Sequence, residues 1–149
     1  MSNNANTIKV LNDLIEVCKD GEYGFRICSE QAKSAELHTM LQNRTRECAT
    51  AAAQLQDQVF ALGGSPDSNG SIGGALHRGW VSLKTTLTTF DDLAVMQECE
   101  RGEDSALESY RAALKEDLSS PVRGLVEQQY EGVKRNHDLV RRQRDTLKA

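Results

Sequence analysis

Apolar residues recur every three or four positions along most of this chain, and that spacing is typical of amphipathic α-helices. Four such segments can be separated by their end signals, because Ser34 can cap the start of the second and the pair Gly63–Gly64 can end it. We predict four helices, which run approximately over Thr7–Ala32, Ser34–Leu62, Phe90–Lys115 and Pro121–Leu147. Little of the sequence alternates between apolar and polar residues as a strand does, so the predicted fold class is all-α.

The three connections differ in length, and that difference predicts the topology. Short corners at Lys33–Ser34 and Asp117–Ser120 make the helices on either side antiparallel neighbours. The middle connection covers residues 63 to about 88, begins with glycine and serine, and can hold a short helix anchored by Trp80. If it runs the length of the bundle, the third helix lies parallel to the second. We predict one domain, residues 1–149, of two antiparallel hairpins joined by a long crossover that contains a short helix.

The composition narrows the classes of partner. Of 149 residues, 38% are hydrophobic and 27% are charged, as in ordinary globular domains, and the net charge is −4. The net negative charge argues against nucleic acid as a primary partner, because phosphate binding needs clustered positive charge. The one basic concentration, Lys134–Arg135 with Arg141–Arg144, is interspersed with acids, and we interpret it as a solvated helix face. No stretch approaches the ~18 consecutive apolar residues of a membrane span, and the polar N-terminus lacks the apolar segment of a signal peptide. We expect a cytoplasmic protein whose partners are neither nucleic acid nor membrane; a metal ion and further copies of the chain stay open as partners.

The cysteines indicate a reducing compartment. The four are Cys18, Cys28, Cys48 and Cys99, and no two of them form a Cys-x-x-Cys pair, so a zinc or thioredoxin-type site is disfavoured. Most fall on or beside apolar helical stripes. We predict small buried thiols.

Ionisable residues occupy core or near-core positions on all four predicted helices, although a buried charge must be compensated. These candidate metal ligands are Glu22, Glu47, Glu100, Glu103 and His137. Glu22 and Glu47 lie at similar distances from the first short corner, and the other three lie at similar distances from the second. In the crossover topology the two corners are at opposite ends of the bundle, so all five groups meet at about one level. The same helical count places Glu98 and Asp104 at the rim of the core.

Three arrangements would compensate these charges. The carboxylates and the imidazole could ligate iron or manganese, which suit oxygen and nitrogen donors. Arg44, Arg101, Lys134 and the tyrosine hydroxyls could instead pair with the acids in a metal-free network. The helices could also be rotated so that the acids face water.

Five segments carry a resemblance to a known superfamily. They are Leu11–Ile15, Asp20–Tyr23, Gly74–Trp80, Glu100–Asp104 and Asn136–Asp138. With these segments, its helix lengths and its crossover, the chain resembles the ferritin-like superfamily over nearly its whole length. More narrowly, it resembles a group of short bacterial four-helix-bundle proteins of unassigned function. The resemblance implies a ferritin-like four-helix bundle.

The resemblance also invites comparison with the superfamily's di-iron pattern, in which two helices each supply a glutamate and the other two each supply a Glu-x-x-His motif. Glu22, Glu47, Glu103 and His137 match ligand positions, with Glu100 as an alternative to Glu103. Thr50 stands where one histidine is expected, and Lys134 stands where one glutamate is expected. The pattern is therefore incomplete, and a lysine there could neutralise a carboxylate in place of a metal.

Two functions are consistent with these observations. The first is a ferritin-like protein that binds iron or manganese through the five candidate ligands. The second is a non-enzymatic, stress-associated or scaffold bundle with a metal-free polar network in its core. No nucleophile elbow, phosphate loop or zinc-protease motif is present. We therefore name no catalytic residue and no organic cofactor, and the sequence does not decide whether the protein is an enzyme.

Overall fold

The computed structural model describes residues 2–66, 80 and 91–149. These residues form four α-helices, and no strand occurs among them. The helices are α1 (Ser2–Gln31), α2 (Ala35–Ala61), α3 (Asp92–Leu114) and α4 (Ser120–Lys148). The all-α prediction is confirmed, although α1 begins at Ser2 rather than at Thr7. The short helix predicted within the crossover lies outside the described residues.

Contacts at the helix ends establish the direction of each helix. The Oγ atom of Ser34 accepts a hydrogen bond from the Leu37 backbone N–H at 3.3 Å and so caps α2. The carboxylate of Asp92, at the start of α3, accepts hydrogen bonds from the backbone N–H groups of Lys33 and Ser34 at 2.8 and 3.1 Å. Because α2 and α3 both begin at this corner, they run parallel. This arrangement requires a connection along the bundle, so the predicted crossover topology is confirmed.

The four helices do not pack equally. α1 packs closely on α2, α3 packs on α4, and α1 also packs on α3, whereas α2 and α4 make few contacts with each other. The bundle therefore has one open side, between α2 and α4. None of the described helices has the length and hydropathy needed to cross a membrane.

The apolar core consists of two clusters stacked along the bundle. The first includes Leu11, Ile15, Leu55, Val59, Leu107, Val126 and Val133. The second includes Phe25, Leu37, Leu41, Trp80, Val95, Met96 and Val140. Arg44, Glu103 and His137, all buried, lie near the junction of the two clusters. A polar layer therefore crosses the core at about the level that the sequence predicts for its ionisable residues.

Trp80, in the crossover, fills a notch between α1 and α3. The indole is 2% exposed and meets the Phe25 ring edge-to-face, with 4.9 Å between ring centroids and an interplanar angle of 77°. A Cβ atom added at Gly24 would lie 2.3 Å from the indole, and one added at Gly102 would lie 2.2 Å from it. Only glycine leaves room for the indole at both positions, so these two residues determine where the crossover docks.

Candidate functional site

A buried ion pair joins α2 to α3 at the centre of the polar layer. The Nε and Nη2 atoms of Arg44 donate hydrogen bonds to the two carboxylate oxygens of Glu103, each at 3.1 Å. Arg44 is 8% exposed and Glu103 is 1% exposed. Asn136 of α4 donates a further hydrogen bond from Nδ2 to Oε2 of Glu103. The Arg44–Glu103–Asn136 group, called the polar core below, thus ties three helices together.

The geometry of the polar core compensates the charge that it buries. A two-pronged arginine–carboxylate pair satisfies both carboxylate oxygens and holds them in a fixed orientation. The Arg44 guanidinium also lies 5.4 Å from the centroid of the Phe25 ring, within the range of a cation–π contact. Its Nη1 atom lies 3.4 Å from Oε1 of Glu47, whose side chain is 64% exposed. One guanidinium therefore contacts two of the five residues predicted as metal ligands.

The other three predicted ligands have partners of their own. The carboxylate of Glu22 lies 3.8 Å from Nζ of Lys19 in a partly exposed pair. Glu100 accepts a hydrogen bond from Arg144 and lies 3.8 Å from Nε of Arg141. The Nε2 atom of His137 lies 2.6 Å from Oδ1 of Asp104, a largely exposed carboxylate.

These residues do not fit a metal ion as they stand. Across the described ranges, no three or more His, Cys, Asp or Glu side chains come together in a group that could hold one. Both Glu103 oxygens accept hydrogen bonds from Arg44, so a metal ion at Glu103 would lie beside the positive charge of a guanidinium that is itself buried. The structure therefore does not bring Glu22, Glu47, Glu100, Glu103 and His137 together as a ligand set.

Three details of the prediction from sequence are wrong. The first is the placing of Glu22 and Glu47 at core or near-core positions, since their side chains are 37% and 64% exposed.

The second detail concerns Glu98. Glu98, predicted at the rim, is fully buried and paired with Arg101, whereas Asp104 is exposed as predicted. The inward face of α3 includes Val95, Glu98 and Gly102, and Trp80 packs on Gly102 within that face.

The third wrong detail concerns Lys134. The sequence suggests that it could neutralise a core carboxylate, but its Nζ atom lies 2.9 Å from Oε2 of Glu131 in an exposed pair on the same helix. Lys134 also lies over the ring of Tyr130, with 4.8 Å from Nζ to the ring centroid. Its four-carbon stem therefore stays on the surface of α4 and does not reach the carboxylates of the polar core.

A second hydrogen-bonded chain crosses from α1 to α2 beside the polar core. The Sγ atom of Cys18 lies 3.3 Å from the Tyr110 hydroxyl, which donates a hydrogen bond to Oε1 of Gln129 at 2.8 Å. The Nε2 atom of Gln129 in turn donates to the backbone oxygen of Ala51 at 3.2 Å and to Oε1 of Gln54 at 3.0 Å. Gln129 thereby bridges α4 to α2 on the otherwise open side of the bundle.

All four cysteines are buried and free. Burial raises the pKa of the Cys18 thiol to about 11, against the opposing effect of its hydrogen bond with Tyr110. Burial also raises the pKa of Cys48, and of Cys99 well above its ordinary value. These three thiols are therefore protonated at neutral pH and poorly suited to act as nucleophiles or metal ligands.

This burial predicts a loss of stability at alkaline pH. The pKa of Cys18 is raised in the folded chain, so its contribution to stability is complete below about pH 9 and is lost as the pH rises through about 11. We expect the free energy of unfolding to fall over that window. Its slope against pH is proportional to the number of protons released on unfolding, and we expect Cys18→Ala to reduce that number by up to one. Urea unfolding at several pH values from 8 to 11 measures both slopes. Equal slopes in the two proteins would contradict the prediction, whatever their absolute stabilities.

The open side of the bundle forms a groove between α2 and α4, called the α2–α4 groove below. Its volume is about 730 Å³. The walls include Asn43, Arg46, Glu47, Thr50 and Gln54 of α2 and Gln128, Gly132, Arg135, Asn136 and Leu139 of α4. The polar core and Tyr110 lie at its floor, together with Phe25 and Trp80. The groove is not among the features predicted from sequence, although Gln129, Gly132 and Asn136 have the three-and-four spacing of a second face on α4.

The fold and its buried polar layer define a ferritin-like four-helix bundle, and comparison with solved structures supports this. A Dps1 mutant from Mycobacterium smegmatis superimposes with a TM-score of 0.78 at 14% identity, covering 96% of this chain and 97% of the other. Dps92 from Deinococcus radiodurans gives 0.78 at 11% identity, with 95% and 87% covered. The DPS protein of Vibrio cholerae O1, described as a member of a broad superfamily of ferritin-like diiron-carboxylate proteins, gives 0.77 at 16% identity, with 94% and 89% covered.

The family follows from the sequence itself. Residues 6–116 match the model of DUF2383, a domain of unknown function, and the chain belongs to this family. No curated protein sequence matches the chain. The predicted resemblance to ferritin-like proteins of unassigned function is thus confirmed. Because the sequence identities to the solved structures are low, the structural similarity establishes the fold alone.

Proposed function

We propose that this protein is a non-enzymatic ferritin-like bundle, with a stress-associated or scaffold role, in which the Arg44 guanidinium supplies the positive charge at the centre of the core. The observation that carries the proposal is the pair of 3.1 Å hydrogen bonds from Arg44 to both oxygens of Glu103. A buried carboxylate needs a cation, and here an arginine of the chain provides it. The four free, buried thiols are consistent with the reducing, cytoplasmic location expected from the sequence.

The polar core suits a structural role. A buried, fully hydrogen-bonded ion pair constrains the rotation and register of the helices that carry it. Here it joins α2, α3 and α4, so it also restrains α2 relative to α4, two helices that make few other contacts with each other. A bundle held in one register presents a constant surface to a partner.

A metal-binding function is the second candidate. It is favoured by the similarity to the DPS protein of Vibrio cholerae O1, which is described as a member of the ferritin-like diiron-carboxylate superfamily. In this chain the ligands would be Glu22, Glu47, Glu100, Glu103 and His137, and the metal iron or manganese. A metal ion at Glu103 would meet the positive charge of the Arg44 guanidinium, which donates hydrogen bonds to both oxygens of that carboxylate. Metal bound there would supply Lewis-acid or redox chemistry, whereas the residues present supply charge neutralisation and orientation.

Metal analysis separates the two candidates. Protein purified without chelators is analysed for iron, manganese and zinc, and is then titrated with iron(II) and manganese(II) under anaerobic conditions. We expect no stoichiometric metal and no saturable binding in the wild-type protein, and the same result for Glu22→Gln and Glu103→Gln. Stoichiometric metal in the wild-type protein that is lost in both variants would instead establish the metal-binding function. Glu108→Gln, an exposed α3 position, is the matched control.

A further inference from the structure

We propose that the α2–α4 groove binds a small organic anion that carries an apolar body. The groove has a volume of about 730 Å³, within the range of roughly 300–1,000 Å³ that is usual for small-molecule sites. The proposal rests on the metal-free polar core proposed above, because the Arg44–Glu103 pair lies at the floor of the groove.

Small residues keep the groove open. A Cβ atom added at Gly132 would meet only Nη2 of Arg135, at 3.6 Å, so no atom of α2 lies within 4 Å of that point. Ala51 faces it from the opposite wall, and α2 and α4 make few contacts along their length. At one level the Gln129 side chain bridges the two helices by hydrogen bonds to Ala51 and Gln54. The space beside this bridge is therefore bounded by protein and is not a gap running the full length of the bundle.

The interior of the groove suits an apolar body. Phe25, Trp80, Ala106 and Leu139 contribute apolar surface to its lining. The charge at its floor is balanced, because the Arg44–Glu103 pair neutralises itself. The floor therefore attracts neither a cation nor an anion, and a planar apolar group can lie against it without leaving a charge uncompensated.

The mouth of the groove suits an anion. Arg46 of α2 and Arg135 of α4 line opposite walls, and both are exposed. Arg46 donates to the neutral side-chain amide of Asn43. Two further carboxylates line the groove: Glu47, which is 64% exposed and lies 3.4 Å from Arg44, and Asp20, which is buried and already has an interaction within the protein. Because Arg44 is already paired with Glu103, Glu47 keeps its negative charge, and Arg46 and Arg135 supply the positive charge for an anion. Two arginines on opposite walls of one groove can supply the hydrogen-bond donors for a carboxylate, sulfonate or phosphate group.

Binding of anilinonaphthalene sulfonate, a fluorescent organic anion with an apolar body, tests the proposal. We expect saturable binding with one site per chain, and we expect Arg46→Gln and Arg135→Gln each to weaken it by about tenfold. Phenylnaphthylamine has the same body without the sulfonate, and we expect its binding to be unchanged by either arginine substitution. Arg142→Gln, at an exposed position of α4, is the matched control. This variant should bind both probes as the wild-type protein does.

A blocking substitution completes the experiment. Gly132→Leu fills the open space in the groove, and we expect it to abolish binding of both probes while circular dichroism shows an intact helical fold. Absence of saturable sulfonate binding to the wild-type protein would overturn the proposal. Equal sulfonate binding by the wild-type and the two arginine variants would overturn it as well, because binding would then not involve the mouth of the groove.

Discussion

Replacing either member of the Arg44–Glu103 pair alone is expected to lower the free energy of unfolding by about 3–5 kcal/mol. Arg44→Met leaves the buried Glu103 carboxylate without its cation, and Glu103→Met leaves the buried guanidinium with only the largely exposed carboxylate of Glu47. The cost arises from the charge that stays behind more than from the contact that is lost. Methionine is used at both positions because it is unbranched and adapts to irregular space.

The double variant distinguishes this explanation from simple loss of packing. Arg44→Met combined with Glu103→Met removes both charges, so we expect it to be close to wild-type stability and well above either single variant. Urea unfolding of the four proteins measures the coupling. The exposed Lys134–Glu131 pair is the matched control, and its single substitutions should cost about 0–1 kcal/mol. Additive effects in the buried pair, or single effects as small as those of the exposed pair, would contradict the prediction.

Removing the Trp80 side chain is the second substitution with a large expected effect. Trp80→Ala should lower the free energy of unfolding by about 3–5 kcal/mol, because it deletes a buried aromatic and leaves a cavity between α1 and α3.

The same cavity should reverse the effect of Gly102→Ala on stability. In the wild-type protein Gly102→Ala places a methyl group 2.2 Å from the indole and should be destabilising by about 1–3 kcal/mol.

In the Trp80→Ala background the indole is absent, so Gly102→Ala should instead stabilise the helix by up to ~1 kcal/mol. Gly132→Ala is the matched control within a helix, since its added methyl group meets only an arginine side chain at ordinary contact distance, and it should be stabilising in both backgrounds. Thermal unfolding of the single and double variants provides the comparison. An equal change in stability from Gly102→Ala with and without Trp80 would contradict direct packing of the indole on Gly102.

The sequence predicts the fold well because the fold depends on local patterns. The caps and corners of the helices are local signals, and Ser34 is indeed the cap of α2. The length of the middle connection predicts the parallel arrangement of α2 and α3, which the contacts of Asp92 confirm. The burial of Arg44 also follows from the apolar spacing of α2, in which it stands between Leu41 and Cys48.

The pairing of charges is less predictable because it depends on the rotation of one helix relative to another. Successive positions on a helix differ in direction by ~100°, so a rotation of that size is enough to move Glu98 from the rim of the core into it. On the inward face of α3, Trp80 packs on Gly102, a long-range contact that periodicity does not encode. Asn136 is not predicted as a partner of Glu103 for a related reason. It precedes His137, the residue that the sequence places in the core, and its side chain reaches Glu103 from the edge of the inward face of α4.

The central claim is that a guanidinium, and not a metal ion, neutralises the carboxylate at the centre of the core. A crystal structure of protein exposed to iron(II) or manganese(II), with anomalous diffraction recorded at the absorption edge of the metal, tests it most directly. We predict no anomalous peak beside Glu103 and an Arg44 guanidinium that donates to both oxygens of its carboxylate. A metal peak within ligand distance of Glu103, with the Arg44 side chain turned away from it, would contradict the claim.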